Sequence, residues 1–235
     1  MMISDPAARQ QRALEKRAAI LRFLAQEIWS TAPILGQMVG LKDRQPVQRL
    51  LNAMEKEGSL RRACISSDID DRALTVWGIT TQGRLVSPAA DPLGPIFEPS
   101  RLTPSTMPHS LGLQGIRLRC EAAGWTDWDR MPGAFNPKAG DHRPDATVRT
   151  VGGKLVAIEY ERSIKTAKRY QQIISAHLRS IEHGRWLGVF YICPPSLAQG
   201  LPRLFAAIRT LPGGVAFDES RRSRFKVVGL EDFPQ

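Results

Sequence analysis

The 235-residue chain is 42% hydrophobic, which is enough to bury one large core or two small ones without disulfide or metal staples. Its 33 Lys and Arg stand against 23 Asp and Glu, for a formal charge of +10 spread over both halves, and that balance favours a polyanionic partner. Three cysteines without CxxC spacing exclude a disulfide framework or zinc knuckle and predict buried thiols, while the lack of an N-terminal apolar core or of any run near roughly 18 apolar residues predicts a cytoplasmic protein without signal peptide or membrane span.

Over residues 6–28, Leu14, Ala18, Leu21, Leu24, Ala25 and Ile28 recur at helical spacing, with Arg12, Lys16, Arg17 and Arg22 largely elsewhere around the axis. This predicts one long amphipathic helix. Thr31 is placed to cap a short helix running to Val39, Gly40 to break it, and Asp43 to cap another that turns Val47, Leu50, Leu51 and Met54 inward. Pro46 falls in the first turn, where its missing N–H costs little. Gly58 stops that helix, and residues 60–65 and 74–78 flank the polar turn SSDIDDR as the arms of a β-hairpin. Helix, short helix, turn, helix, hairpin is the order of a winged helix-turn-helix, assigned to residues 1–86.

Residues 87–108 hold six prolines and little periodicity, which predicts a semi-rigid linker lying over the surface and carrying the domain boundary. Beyond it, residues 111–123 read as a helix ending at Gly124, WTDWD as a short strand and MPGAFNPKAGDHR as an irregular loop. KLVAIEY, after the turn VGG, is an apolar strand; residues 164–182 are a helix, WLGVFYIC a second strand, and residues 197–211 and FKVVGL a further helix and strand. This alternation predicts an α/β domain over residues 109–235 with a mixed, partly parallel central sheet, and an α/β chain with α+β character overall.

The densest group of chemically able residues is Pro144-Asp145, then a strand ending Ile158-Glu159-Tyr160-Glu161, then Lys165 and Lys168. Asp145 and Glu159 at neighbouring strand ends supply two hard oxygen ligands, a set that suits Mg²⁺ or Mn²⁺. Glu159 and Glu161 share one face of a pleated strand, Tyr160 the other. A nearby lysine can orient an attacking water and offset charge on a phosphorane-like transition state. Glu121, on the preceding helix, is a further acid within possible reach through water.

In the first domain the helix after Asp43 displays Arg44, Gln45, Gln48 and Arg49, side chains able to bond guanine, adenine or phosphate in a major groove. Arg61, Arg62 and Arg72 on the hairpin can grip flanking backbone, whereas Asp68, Asp70 and Asp71 at its tip oppose deep insertion. The histidines 109, 142, 177 and 183 have no HxxxH-like spacing and read as structural or solvated, not as a metal cluster. Of three tyrosines, Tyr160 points away from the acids and Tyr191 lies in an apolar strand, which leaves Tyr170 as the one plausible covalent nucleophile; metal-activated water is the favoured mechanism.

The segments LGLQGIRLRCEAAGW, RPDA and LVAIEYERSIKTAKRY together resemble the PD-(D/E)-x-K nuclease superfamily, whose members share a helix, a strand carrying Asp and a strand carrying (D/E)-x-K. More narrowly, with the VWGITTQG run of the hairpin, the chain is similar to replication-relaxation and MobC-type mobilisation proteins of plasmids and integrative elements. The resemblance implies a restriction-endonuclease-like second domain in which Asp145 and Glu159 bind metal and Lys165 is a catalytic lysine displaced onto the following helix. Glu161 occupies the customary lysine position, which leaves Lys165 and Lys168 as alternatives. Lys168 and Arg169 extend the basic surface toward DNA. The implied activity is recognition and nicking of origin DNA with Mg²⁺ or Mn²⁺, alongside other relaxosome or mobilisation proteins. The alternative is a non-catalytic DNA-binding accessory protein or regulator with a degenerate nuclease fold.

Overall fold

The computed structural model describes residues 5–66, 73–88, 90–130 and 142–234. The hairpin tip with Asp68, Asp70, Asp71 and Arg72, and most of the loop MPGAFNPKAGDHR, lie outside the described residues. The chain divides into two compact units, Met1–Gln114 and Gly115–Gln235.

The first unit opens with α1 (Pro6–Glu27), whose N-terminus is capped by the Asp5 carboxylate accepting from the amides of Ala7 and Ala8. Ile28, at φ 69°, ends it and starts β1 (Trp29–Thr31). There follow α2 (Ala32–Met38), α3 (Arg44–Lys56), β2 (Leu60–Ile65), β3 (Leu74–Ile79) and α4 (Thr81–Leu85). The two expected hairpin arms pair antiparallel, and β1, too short to show alternation in the sequence, joins them in the order β1-β3-β2. Thr31 and Asp43 stand at the helix starts, but neither side chain makes a capping bond. Val47, Leu51 and Met54 are buried as their spacing predicts; Leu50 is half-buried.

The VWGITTQG run has a local physical logic. A Cβ on Gly78 would stand 2.0 Å from Phe97 Cγ, and one on Gly83 would stand 2.2 Å from the Ser59 carbonyl oxygen, so both positions need the bare backbone. Thr80 Oγ1 accepts from Gly83 N–H at 3.0 Å and donates to Gly58 O, which caps α4 against the α3–β2 turn. The proline-rich segment is bound to this unit at two points. Phe97 is buried with Trp29, Val76 and Met107, and Arg84, 2% exposed, donates to the carbonyls of Ala25, Asp91 and Pro95 at 2.8, 3.1 and 2.6 Å.

Helix α5 (Met107–Ala122) begins earlier than residue 111 and continues into the second unit. That unit then runs β4 (Thr126–Asp129), β5 (Ala146–Arg149), β6 (Leu155–Tyr160), α6 (Ala167–Glu182), β7 (Val189–Cys193), α7 (Gly200–Ala207), β8 (Thr210–Leu211), β9 (Val215–Ala216), α8 (Glu219–Arg222) and β10 (Phe225–Gly229). Five strands form a mixed sheet in the order β10-β7-β6-β5-β4, with β10, β7 and β6 parallel and β5 and β4 antiparallel. The α/β class and mixed central sheet read from the sequence are therefore present. Helix α7 is shorter than residues 197–211, and the small β8–β9 hairpin takes up the remainder, turning through Gly213 and Gly214 at positive φ.

Tyr170, Ile173, Ile174 and Leu178 of α6 pack with Tyr191, Leu201 and Phe205 over one sheet face. Phe190, the alternate residue of β7, faces the other way and packs with Trp125 and Phe233 at 5.7 and 5.5 Å between ring centroids. Cys120 and Cys193 are buried thiols, but Cys64 is exposed, because β2 alternates outward at that position. Among the described residues no helix is long and apolar enough to cross a membrane.

Candidate functional site

The antiparallel register of β5 and β6, Ala146 opposite Ile158, carries Asp145 to the end of β6. There the Asp145 amide donates to Ile158 O at 3.1 Å and its Oδ2 accepts from Tyr160 N–H at 2.8 Å. One further residue along, the Glu161 amide donates to Ile192 O of β7, which extends the parallel ladder past the strand's formal end. The strand thus buries Glu159 and Glu161 while Tyr160 between them is half-buried. Burial pushes the Glu161 pKa up, its pairing with Lys165 pulls it down, and the Glu159 and Asp145 charges push it up again, with a net rise. All three carboxylates therefore share one electrostatic environment.

Lys165 does not stand on the following helix. Thr166 caps α6 by accepting from Arg169 N–H at 3.2 Å, so the helix starts at Ala167 and Lys165 remains in the turn before it. From there its ammonium pairs with the Glu161 carboxylate and lies 5.8 Å from the Tyr170 ring centroid, and its amide donates to Tyr170 Oη at 3.3 Å. Lys168 and Arg169 are exposed on the first turn of α6. Glu121 is exposed and paired with Arg117 at 2.7 Å.

The histidines are where sequence spacing misleads. His142, just before β5, and His177, on α6, both place Nε2 2.9 Å from the same Glu159 oxygen, Oε1. These two contacts decide the state of Glu159, which is 5% exposed: burial alone would raise its pKa, but the hydrogen bonds and charge of the imidazoles outweigh it and hold the carboxyl at about 2. An ionised carboxylate only accepts, so each imidazole presents Nε2–H to it. His177 is wholly buried and its Nδ1 has no hydrogen-bond partner among the described residues; nor has Tyr191 Oη, on the strand position paired with Glu159. A sequence signal existed only in residue type, since 17 and 18 positions separate the histidines from Glu159.

Tyr170 is not an available nucleophile. It is buried in the core, and burial first, then nearby carboxylates, raise its pKa to about 12. Tyr191 is buried as its apolar strand predicts, with its pKa well above the ordinary value for the same causes.

Mg²⁺ prefers oxygen ligands and retains water, whereas the group at Glu159 adds two imidazole nitrogens to its carboxylate. Asp145 Oδ2 accepts a backbone amide, Glu161 is paired with Lys165, and Glu159 sits between two imidazoles. Mn²⁺ stands lowest in the affinity order for mixed N/O sites.

In the first unit, Arg44, Gln45 and Arg49 are exposed on α3. Gln48 is half-buried and donates to Asn52 at 3.1 Å. Arg61 is exposed on β2, and Arg62 is engaged within the unit, 3.7 Å from Glu55 and 5.6 Å from the Trp77 ring centroid. Searches against models of known protein families and against curated proteins find no match to the chain.

Proposed function

We propose that this protein binds DNA through its first unit and cuts a strand of it at the end of β6 in the second, as an origin-nicking, relaxase-like endonuclease in mobilisation or replication of a plasmid or integrative element. The winged helix-turn-helix reading is supported by α1, α2 and α3 with the three-stranded antiparallel sheet, and by the polar, cationic row Arg44, Gln45 and Arg49 that α3 leaves exposed. The +10 charge adds a sequence-independent attraction to phosphate.

The observation that carries the nuclease reading is the Asp145–Tyr160 hydrogen bond, which fixes Asp145 beside the strand bearing Glu159 and Glu161. Helix, Asp-bearing strand and acid-bearing strand follow one another there in the order that the PD-(D/E)-x-K resemblance implies. Lys165, turned onto Glu161, supplies positive charge beside the customary lysine position, which Glu161 itself occupies.

A second reading, a DNA-binding accessory protein with a retired nuclease fold, is favoured by one feature: each acid already has a protein partner. Footprinting and nicking on one supercoiled plasmid carrying the element's own origin separate the two. A nick within the footprint, dependent on added divalent ion, supports the endonuclease; a footprint never nicked with any of Mg²⁺, Mn²⁺ or Zn²⁺ supports the accessory protein.

A further inference from the structure

One ring nitrogen each of His142 and His177 and a carboxylate oxygen of Glu159 all lie within 4.8 Å of one another, and among the described residues they are the group of three that can share an ion. Two imidazoles and one carboxylate are the donors of open catalytic zinc sites, which keep a further position for water or substrate. We propose that these three residues bind a single Zn²⁺-class dication. The proposal deepens the endonuclease reading by naming the ion of that site, and rests on that reading only for the use made of the ion.

Four features support it. The two 2.9 Å contacts between each Nε2 and Oε1 are slightly shorter than the roughly 3.3 Å between ligands bonded tetrahedrally at about 2.0–2.1 Å, so binding needs shifts of only a few tenths of an ångström. Binding through Nε2 moves the imidazole proton to Nδ1; at His177, whose Nδ1 has no partner among the described residues, this replaces the Nε2–H bond to Glu159 with the bond to the ion and breaks no other. Tyr191, whose Oη is buried and unpartnered among the described residues, stands at the strand position paired with Glu159. Access exists through His142, whose side chain is 23% exposed and which borders a cavity of about 350 Å³ with Arg169, Gln172, Ala176 and Arg179. Cationic side chains around that entrance suit an anionic substrate such as a phosphodiester.

The order of divalent affinities places Zn²⁺ and Co²⁺ above Mn²⁺ at such donors. The test uses the full chain, without a polyhistidine tag and stripped of metal, titrated with Co²⁺ in the absence of DNA. Visible absorption of four- or five-coordinate Co²⁺ saturating at one equivalent, abolished by Zn²⁺ and untouched by a hundredfold excess of Mg²⁺, is the expected result. His142→Ala, at the half-exposed ligand, weakens Co²⁺ binding by about a hundredfold or more with circular dichroism unchanged, and Glu159→Gln does likewise. Absence of the bands, displacement by Mg²⁺, or unchanged affinity in folded His142→Ala overturns the site. Co²⁺ binding without DNA nicking supports the site and counts against the endonuclease; nicking in a protein that binds no Co²⁺ does the reverse.

Discussion

Glu159 and His177, eighteen positions apart, meet inside the second unit with Nε2 2.9 Å from Oε1, although one belongs to a strand and the other to the middle of a helix. The contact converts a carboxylate placed by an apolar strand into the centre of a polar group reaching His142. The residues beside it, Asp145, Glu161 and Lys165, are tied into the same end of the sheet.

The proposed reading puts site recognition on α3. Arg44→Ala or Arg49→Ala weakens binding to the cognate duplex by about 1–3 kcal/mol if the side chain reaches a base edge, with much less effect on random DNA. Titration of both duplexes at one fixed salt concentration checks this; equal affinity of the wild-type protein for both leaves only a grip on the backbone.

Lys165 and Lys168 differ in what they touch. Lys165 is paired with the buried Glu161, whereas Lys168 is exposed on α6. Lys165→Met therefore lowers the nicking rate by about a hundredfold, a few kcal/mol of transition-state stabilisation, and Lys168→Met costs much less. Single-turnover nicking rates of the two variants decide it, and the reverse order moves the role one turn along the chain.

Gly78 and Phe97 form a pair of small and large. Gly78→Ala drives a Cβ into the Phe97 ring and destabilises the first unit by about 1–3 kcal/mol. Combined with Phe97→Ala, the added penalty largely disappears, because the clash has lost its partner. Urea unfolding of the two single variants and the double variant measures the coupling.

Arg84 holds three carbonyls from inside the fold. Arg84→Met removes the buried guanidinium that joins these three carbonyls, at a cost of about 1–3 kcal/mol in unfolding free energy. Arg84→Lys recovers only part of it, since one ammonium cannot reproduce the guanidinium fork. Both are read from the denaturation midpoint.

The long elements were legible because burial writes itself into periodicity. Leu21 and Leu24 mark the inward face of α1, and the run from Leu155 to Ile158 marks a strand buried within a sheet. β1 was not, since three residues show no period and Trp29 becomes a strand only by pairing with Gly78. Asp145, Glu159, Glu161 and Lys165 were legible as a group because they are close in sequence. His142 and His177 were not, because the contact between them and Glu159 exists only after β6 and α6 pack. The helical assignment of Lys165 failed at a boundary that a single threonine cap decides.

The most direct measurement compares wild-type protein and Asp145→Ala, purified side by side, for nicking of supercoiled plasmid bearing the element's origin in the presence of Zn²⁺ or Mn²⁺, with DNA affinity measured on the same preparations. Asp145 contacts the Tyr160 amide in the second unit, so its loss leaves DNA binding within a few-fold. The expected result is nicked circle with the wild-type protein and none above background with Asp145→Ala. Equal nicking by both proteins, or none by either while both bind the origin, contradicts a DNA-cutting centre at the end of β6.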